Sequence, residues 1–114
     1  MRPSDPVDRF VLAVGQHHGF TLKGDSTQAN REVEKFHRAA RELLQGGDGA
    51  IARFAELLDH LEPAIRCMAA AYLLECRTND AVAALKPLAK RRDIIGFGAI
   101  ETLKRYERGD LAIR

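Results

Sequence analysis

Apolar residues recur at spacings of three and four along most of the chain, which is the pattern of helices that bury one face. From Pro63 to Cys76 only Arg66 and Glu75 are charged, so this helix is expected to be buried on nearly all sides. The helix before it begins near Asp48 and has its apolar face at six positions: Ile51, Phe54, Ala55, Leu57, Leu58 and Leu61. The pattern therefore predicts a central pair of helices, which Pro63 separates because proline suits the first helical position.

Four further helices are predicted by the same spacing. Asp5 and Pro6 open the first helix, and Ser26 or Thr27 caps the second, which runs to Gln45. The second helix has its apolar stripe at five positions: Val33, Phe36, Ala40, Leu43 and Leu44. Thr78 or Asn79 caps the fifth helix, in which Pro87 is expected to cause a bend without a break. Asp93 caps the sixth helix, and Gly109 ends it.

Six helices joined by short links predict an all-α fold of three antiparallel hairpins in a single domain, residues 1–114. An internal repeat supports this arrangement. Ala40, Ala70 and Ala99 align in the second helix of each hairpin at offsets of 30 and 29 residues, and a leucine follows each alanine four positions later. The predicted architecture is a short stack of hairpins.

The turn Glu62-Pro63-Ala64-Ile65-Arg66 resembles the Asp-Pro-x-Val-Arg turn of HEAT-like helical repeats. The bend expected at Pro87 is similar to the bent first helices of those repeats. The third hairpin has Asp93-Ile94-Ile95 without the proline and arginine, and the first hairpin lacks the motif. The resemblance implies a HEAT-like α-solenoid, in which three hairpins of about six helices stack with a right-handed twist.

The order of motifs along almost the whole chain is similar to a family of small bacterial proteins classified as a domain of unknown function. The motifs are, in order, Phe10, Gly24-Asp25, Ala29-Asn30-Arg31, Pro63 to Arg66 with the alanines that follow, and Ala99 to Gly109. This resemblance implies a bacterial protein with a helical fold, and it implies no catalytic residue.

The composition is that of a globular domain, with 46% hydrophobic and 30% charged residues. The sequence has neither an apolar run near the roughly 20 residues that span a bilayer nor the apolar core of a signal peptide, so a cytoplasmic protein without membrane contact is expected. The net charge is only +2, but residues 81 to 114 hold eight basic and four acidic side chains. The C-terminal end is therefore the basic one.

The sequence nominates no catalytic, cofactor-binding or metal-binding residue, so a protein that is not an enzyme is expected. His17 and His18 are about 100° apart on a helix and cannot face one ion as an i, i+4 pair would. Cys67 and Cys76 are nine positions apart on one predicted helix, too far to form a disulfide. They are interpreted as buried, reduced thiols, with a catalytic or metal-binding cysteine as the alternative.

Two structural roles are also predicted for charged residues. Carboxylates such as Glu32 and Glu34 are expected to be solvated. Arg66, the basic residue of the central helix, is expected to bind Asp59, Glu62 or the carbonyl groups that close the preceding helix.

The leading functional hypothesis is a protein–protein interaction module, such as an accessory or toxin-neutralising protein, whose partner is another protein or a second copy bound through the terminal helix. The alternative is a small nucleic-acid-binding protein that uses the basic C-terminal hairpin. The candidate interaction residues are Lys90, Arg91, Arg92, Phe97, Glu101, Lys104 and Arg105.

Phe97 is the apolar member of this set, and it falls on the charged side of the last helix. Two explanations are open: the C-terminal segment 111–113 covers Phe97, or a partner does. The flanking Gly96 and Gly98 are interpreted as a place where another helix approaches closely.

Overall fold

The computed structural model describes residues 5–109, which form six α-helices and no β-strand. The helices are α1 (Pro6–Leu22), α2 (Ser26–Leu44), α3 (Asp48–Ala55), α4 (Pro63–Leu73), α5 (Thr78–Leu88) and α6 (Ile94–Glu107), with a short 3₁₀ helix at Glu56–Asp59. This confirms the all-α fold and the number of helices. The HEAT-like stacking of three hairpins stays a prediction.

The chain forms two compact units that divide between Phe54 and Ala55, so the boundary falls inside the second predicted hairpin. The N-terminal unit contains α1, α2 and most of α3, and the C-terminal unit contains the 3₁₀ helix, α4, α5 and α6. The prediction of a single domain is not decided by this division and stays a prediction.

The N-terminal unit is built around an antiparallel pair, α1 and α2, and an aromatic cluster. The ring of Phe10 lies edge-on to Phe36 and to Phe54, with centroids 6.2 and 4.9 Å apart. Asp5 caps α1 as predicted, because its Oδ1 accepts a hydrogen bond from the Val7 amide at 2.8 Å. Its other oxygen binds Arg53 at 2.6 Å, and this hydrogen bond is the largest cause of the lowered pKa of Asp5.

The cap of α2 differs from the prediction by one residue. Asp25 accepts the amide hydrogen bond of Gln28 at 3.1 Å, and Ser26 is already helical. The buried face of α2 is also shifted, because Val33 is exposed whereas Glu32 is buried. The second predicted stripe was therefore wrong at this turn.

In the C-terminal unit, α4, α5 and α6 pack against one another, and the 3₁₀ helix packs against α4 and α5. The predicted continuous helix from Asp48 to Leu61 is interrupted at Glu56 by the 3₁₀ helix, and the side chain of Leu61 is 91% exposed. The α4 helix ends at Leu73, three residues earlier than predicted.

Arg66 closes the turn before α4, as predicted. Its Nη1 donates hydrogen bonds to the carbonyl oxygens of His60 at 2.7 Å and Leu61 at 3.1 Å. Pro63 is the first residue of the helix and has no amide hydrogen to leave unsatisfied, and Glu62 makes no side-chain cap. Arg66 therefore fixes this turn, together with the side chain of His60, whose Nδ1 accepts a hydrogen bond from the Glu62 amide at 3.0 Å.

The last two helices agree with the prediction in part. The α5 helix has no side-chain cap, because Thr78 is already helical and its hydroxyl donates to the Leu74 carbonyl at 2.6 Å. Pro87 lies in the last turn, and the helix ends at the next residue instead of continuing through a bend. Asp93 caps α6, and Gly109 follows its end with a φ of +72°, a conformation that favours glycine.

Candidate functional site

The side of α6 that faces away from its buried residues carries most of the predicted interaction residues. Ile95 and Ala99 are buried, whereas Ile94 and Phe97 are 47% and 69% exposed. At about 100° per residue, six side chains fall within an arc of about 100°. We call this set the α6 outer face: Ile94, Phe97, Glu101, Lys104, Arg105 and Arg108.

The α6 outer face is apolar in its first turn and charged toward its C-terminal end. Glu101 and Arg108 approach each other, with 3.8 Å between Oε1 and Nη2, while Lys104 and Arg105 are exposed in the last turn. Basic residues in the last turn interact favourably with the helix dipole, so these positions are also favourable for the helix itself.

The other predicted basic residues, Lys90, Arg91 and Arg92, are exposed in the link before α6. Arg91 binds Asp93 through two nitrogen atoms, with its Nε at 3.0 Å and its Nη2 at 2.6 Å from Oδ2. This hydrogen bonding to Arg91, followed by the amide of Gly96, lowers the pKa of Asp93. Lys104 lies ten residues after Ile94, which is about 15 Å along the axis of α6. This distance separates the basic residues 90–92 of the link from Lys104 and Arg105. The structure thus divides the predicted basic run into two clusters.

Gly96 does not mark the approach of another helix. A Cβ atom placed on Gly96 would lie 2.7 Å from the carbonyl carbon of Arg91 and nearer still to its oxygen, closer than Cβ atoms normally approach. The close neighbour is therefore the backbone of the link between α5 and α6. Among residues 5–109, a Cβ atom on Gly98 would meet nothing within 4 Å, so for this part of the chain the interpretation was also wrong at Gly98.

The explanation that segment 111–113 covers Phe97 lies outside the described residues. Within residues 5–109, the Phe97 side chain remains mostly exposed.

A second feature, which the sequence interpretation missed, is a groove of about 170 Å³ in the N-terminal unit. It lies between α1 and α2 and is lined by Arg9, Leu12, Ala13, Gln16, Glu32, Lys35 and Arg38. Glu32 is only 5% exposed, and its Oε2 accepts a hydrogen bond from Lys35 Nζ at 2.8 Å. The expectation that Glu32 is solvated was wrong, because it occupies the buried face of α2.

His17 lies near the same groove. Its ring is edge-on to Phe36 with centroids 5.5 Å apart, and it is partly buried. Burial lowers the pKa of His17, the neighbouring His18 lowers it further, and Glu32 acts in the opposite direction. No group of three or more histidine, cysteine or carboxylate side chains within residues 5–109 could hold a metal ion.

The two cysteines have different environments. Cys67 is partly buried, and burial raises the pKa of its thiol to about 11. Cys76 is exposed, so the prediction of two buried thiols was wrong for this residue, which lies beyond the end of α4. Both thiols are free.

Comparison of the chain with protein-family models, with curated proteins and with solved structures found no match. Among the described residues, none of the helices combines the length and the apolar character required to cross a bilayer.

Proposed function

We propose that the protein is a non-enzymatic protein-binding module and that its partner binds the α6 outer face. The observation that carries this proposal is the exposure of Phe97 and Ile94 on adjacent turns. The core of the C-terminal unit takes the opposite side of α6, so packing among the described residues 55–109 does not require an aromatic side chain at position 97. An exposed aromatic beside an aliphatic residue is typical of the centre of a protein interface.

The charges around this apolar pair favour a partner with acidic residues at its rim. Lys104 and Arg105 lie at the C-terminal end of α6, and Lys90 and Arg92 lie at its N-terminal end. Two copies that paired through α6 would bring these like charges near one another in a parallel or an antiparallel arrangement. The proposal is therefore a different, acidic protein that covers Phe97, in preference to self-association.

Affinity purification from the native host tests this proposal, with the retained protein identified by mass. The variant Phe97→Ser is expected to lose the partner and to keep the melting temperature of the wild type. Leu61→Ser is the matched control, because Leu61 is an even more exposed aliphatic residue of the same unit that lies outside α6. The proposal fails if Phe97→Ser retains the partner, or if the wild type is repeatedly recovered alone at cellular concentration.

The exposed basic clusters support one alternative, nucleic-acid binding. Titration with duplex DNA and with RNA at two salt concentrations distinguishes it. Replacing Lys90, Arg91 and Arg92 by alanine would reduce both the affinity and its salt dependence if these residues contact phosphates. A Phe97→Ser effect without any salt-dependent nucleic-acid binding supports the protein partner.

A further inference from the structure

The groove between α1 and α2 brings together three basic side chains, and we propose that it binds a small organic carboxylate with a short apolar body. Arg9 comes from α1, whereas Lys35 and Arg38 come from α2. Arg9 and Lys35 are paired with carboxylates, which leaves the positive charge of Arg38 uncompensated, and a bound anion offsets that charge. This site lies in the N-terminal unit and is independent of the protein-binding surface proposed for α6.

Two of the three cations are held in place by carboxylates of α2. Arg9 Nη2 lies 2.6 Å from Oε2 of Glu42, and Lys35 Nζ lies 2.8 Å from Oε2 of Glu32. These pairs hold a guanidinium and an ammonium group beside the groove. Each pair fixes a flexible basic side chain before any ligand arrives, which reduces the entropy lost on binding.

Arg38 is the cation left available for a ligand. It lines the groove and is exposed, and no described residue forms an ion pair with it. A guanidinium group presents two parallel N–H donors that match the two oxygens of a carboxylate. The anionic end of the ligand is therefore placed at Arg38, with Lys35 one helical turn away.

Burial of Glu32 is hard to explain by stability alone. The neighbouring buried positions of α2 are Ala29 and Phe36, which are apolar. Burying a charge costs free energy, and the Lys35 side chain that pairs with Glu32 is itself 53% exposed, so an apolar residue at position 32 would serve the core at least as well. The carboxylate does what an apolar residue cannot do, because it holds the Lys35 ammonium group at the groove.

The remaining wall and the volume define the body of the ligand. Leu12 is 49% exposed and lies beside Ala13, so one wall is apolar. A volume of about 170 Å³ has room for the body of a small organic acid. Butyrate, with four carbon and two oxygen atoms, has this size and combines the two required properties.

The test is a titration of the full-length, ¹⁵N-labelled protein with sodium butyrate, followed by NMR at constant ionic strength. Saturable shifts are expected for the amides of Leu12, Ala13 and Lys35. Arg38→Ala is expected to weaken binding by at least about tenfold, because both charge-assisted hydrogen bonds of its guanidinium group are lost. Arg31→Ala is the matched control, because Arg31 is an exposed arginine of α2 that does not line the groove, and it is expected to bind butyrate like the wild type.

Two further probes separate the charge of the ligand from its apolar body. Butylammonium has the same body with the opposite charge, and inorganic phosphate has negative charge without the body; both are expected to bind at least about tenfold more weakly than butyrate. The proposal is overturned if butylammonium or phosphate binds as tightly as butyrate, or if the shifts lie outside the groove. It is also overturned if Arg31→Ala loses as much affinity as Arg38→Ala.

Discussion

The close approach of Gly96 to the Arg91 backbone gives a sharp prediction, because α6 contains a second glycine, Gly98, that no described residue approaches. Gly96→Ala places a methyl group against the Arg91 carbonyl, whereas a methyl group at position 98 touches none of the described residues. The carbonyl cannot move freely, since the Arg91 amide donates to the Leu88 carbonyl at 3.0 Å and the Arg91 side chain binds Asp93.

The two substitutions are expected to change stability in opposite directions. Alanine stabilises a helix interior by about 1 kcal/mol relative to glycine, and Gly98→Ala is expected to show most of that gain. At Gly96 the same gain is outweighed by overpacking against the backbone, which costs about 3 kcal/mol. The expected net effect of Gly96→Ala is a loss of about 2 kcal/mol, so the two variants should differ by about 3 kcal/mol.

Urea denaturation followed by tyrosine fluorescence measures this difference. Tyr72 and Tyr106 both belong to the C-terminal unit and the chain has no tryptophan, so the signal reports the unit that contains α6. The expected difference of about 3 kcal/mol between Gly96→Ala and Gly98→Ala corresponds to about 12 °C in melting temperature for a chain of this length. If Gly96→Ala and Gly98→Ala have equal stability, the close approach to Arg91 is not a feature of the folded protein.

Three further predictions concern Arg66, the two cysteines and His17. Arg66→Ala is expected to lower the free energy of unfolding by about 1 to 2 kcal/mol in urea melts, because two carbonyl groups lose a charged donor. Arg66→Lys should restore only part of this free energy. If Arg66→Ala causes no loss of stability, Arg66 does not fix the turn. Alkylation at about pH 8 is expected to modify the exposed Cys76 first. Cys67 is expected to react about a hundredfold more slowly than an unperturbed thiol, because its raised pKa leaves little thiolate at this pH. Mass spectrometry measures both rates. Folding lowers the pKa of His17, so the unfolded state binds more protons than the folded state. The contribution of His17 to stability is therefore present above the ordinary histidine pKa of 6.5 and is lost as the pH falls through the pKa of the folded state. Urea melts from about pH 8 to about pH 5 should therefore show a steeper loss in the wild type than in His17→Gln, and equal slopes would contradict this assignment.

Helix positions were predictable because cap residues and apolar spacing are local signals. Asp5 and Asp93 each precede a helix and accept the expected amide hydrogen bond. The choice among Asp25, Ser26 and Thr27 was not predictable, because all three residue types are good caps. The side chain that reaches the amide is decided by the geometry of the preceding turn.

The groove was missed because charge was given more weight than spacing. Glu32 lies three residues after Ala29 and four before Phe36, which is the spacing of a buried face, whereas Val33 is offset from it. If Glu32 is assigned to solvent because it is charged, the predicted buried face of α2 moves by one position, from Glu32 to Val33. The spacing of Ala29, Phe36, Ala39 and Leu43 was the signal that could have identified the face.

The close approach at Gly96 and the break at Glu56 had no comparable local signal. A glycine in a helix can indicate a neighbouring helix, a neighbouring backbone or open space, and among the described residues Gly96 and Gly98 show the last two of these outcomes within one turn. The apolar spacing through Leu57 and Leu58 fits an α-helix and a 3₁₀ turn nearly equally well over four residues. Only the packing of the C-terminal unit decides between them.

The link between α5 and α6 also has a consequence for the order of folding. Its contacts join Arg91 to Asp93, Asp93 to Gly96, and the Arg91 backbone to Gly96, so all of them close loops of no more than six residues. Short loops close at small entropic cost, and we expect this corner to be formed already in the transition state for folding of the C-terminal unit. Asp93→Ala should then slow refolding in stopped-flow experiments while leaving the unfolding rate nearly unchanged, and a change confined to unfolding would place the corner among the last parts of the unit to form.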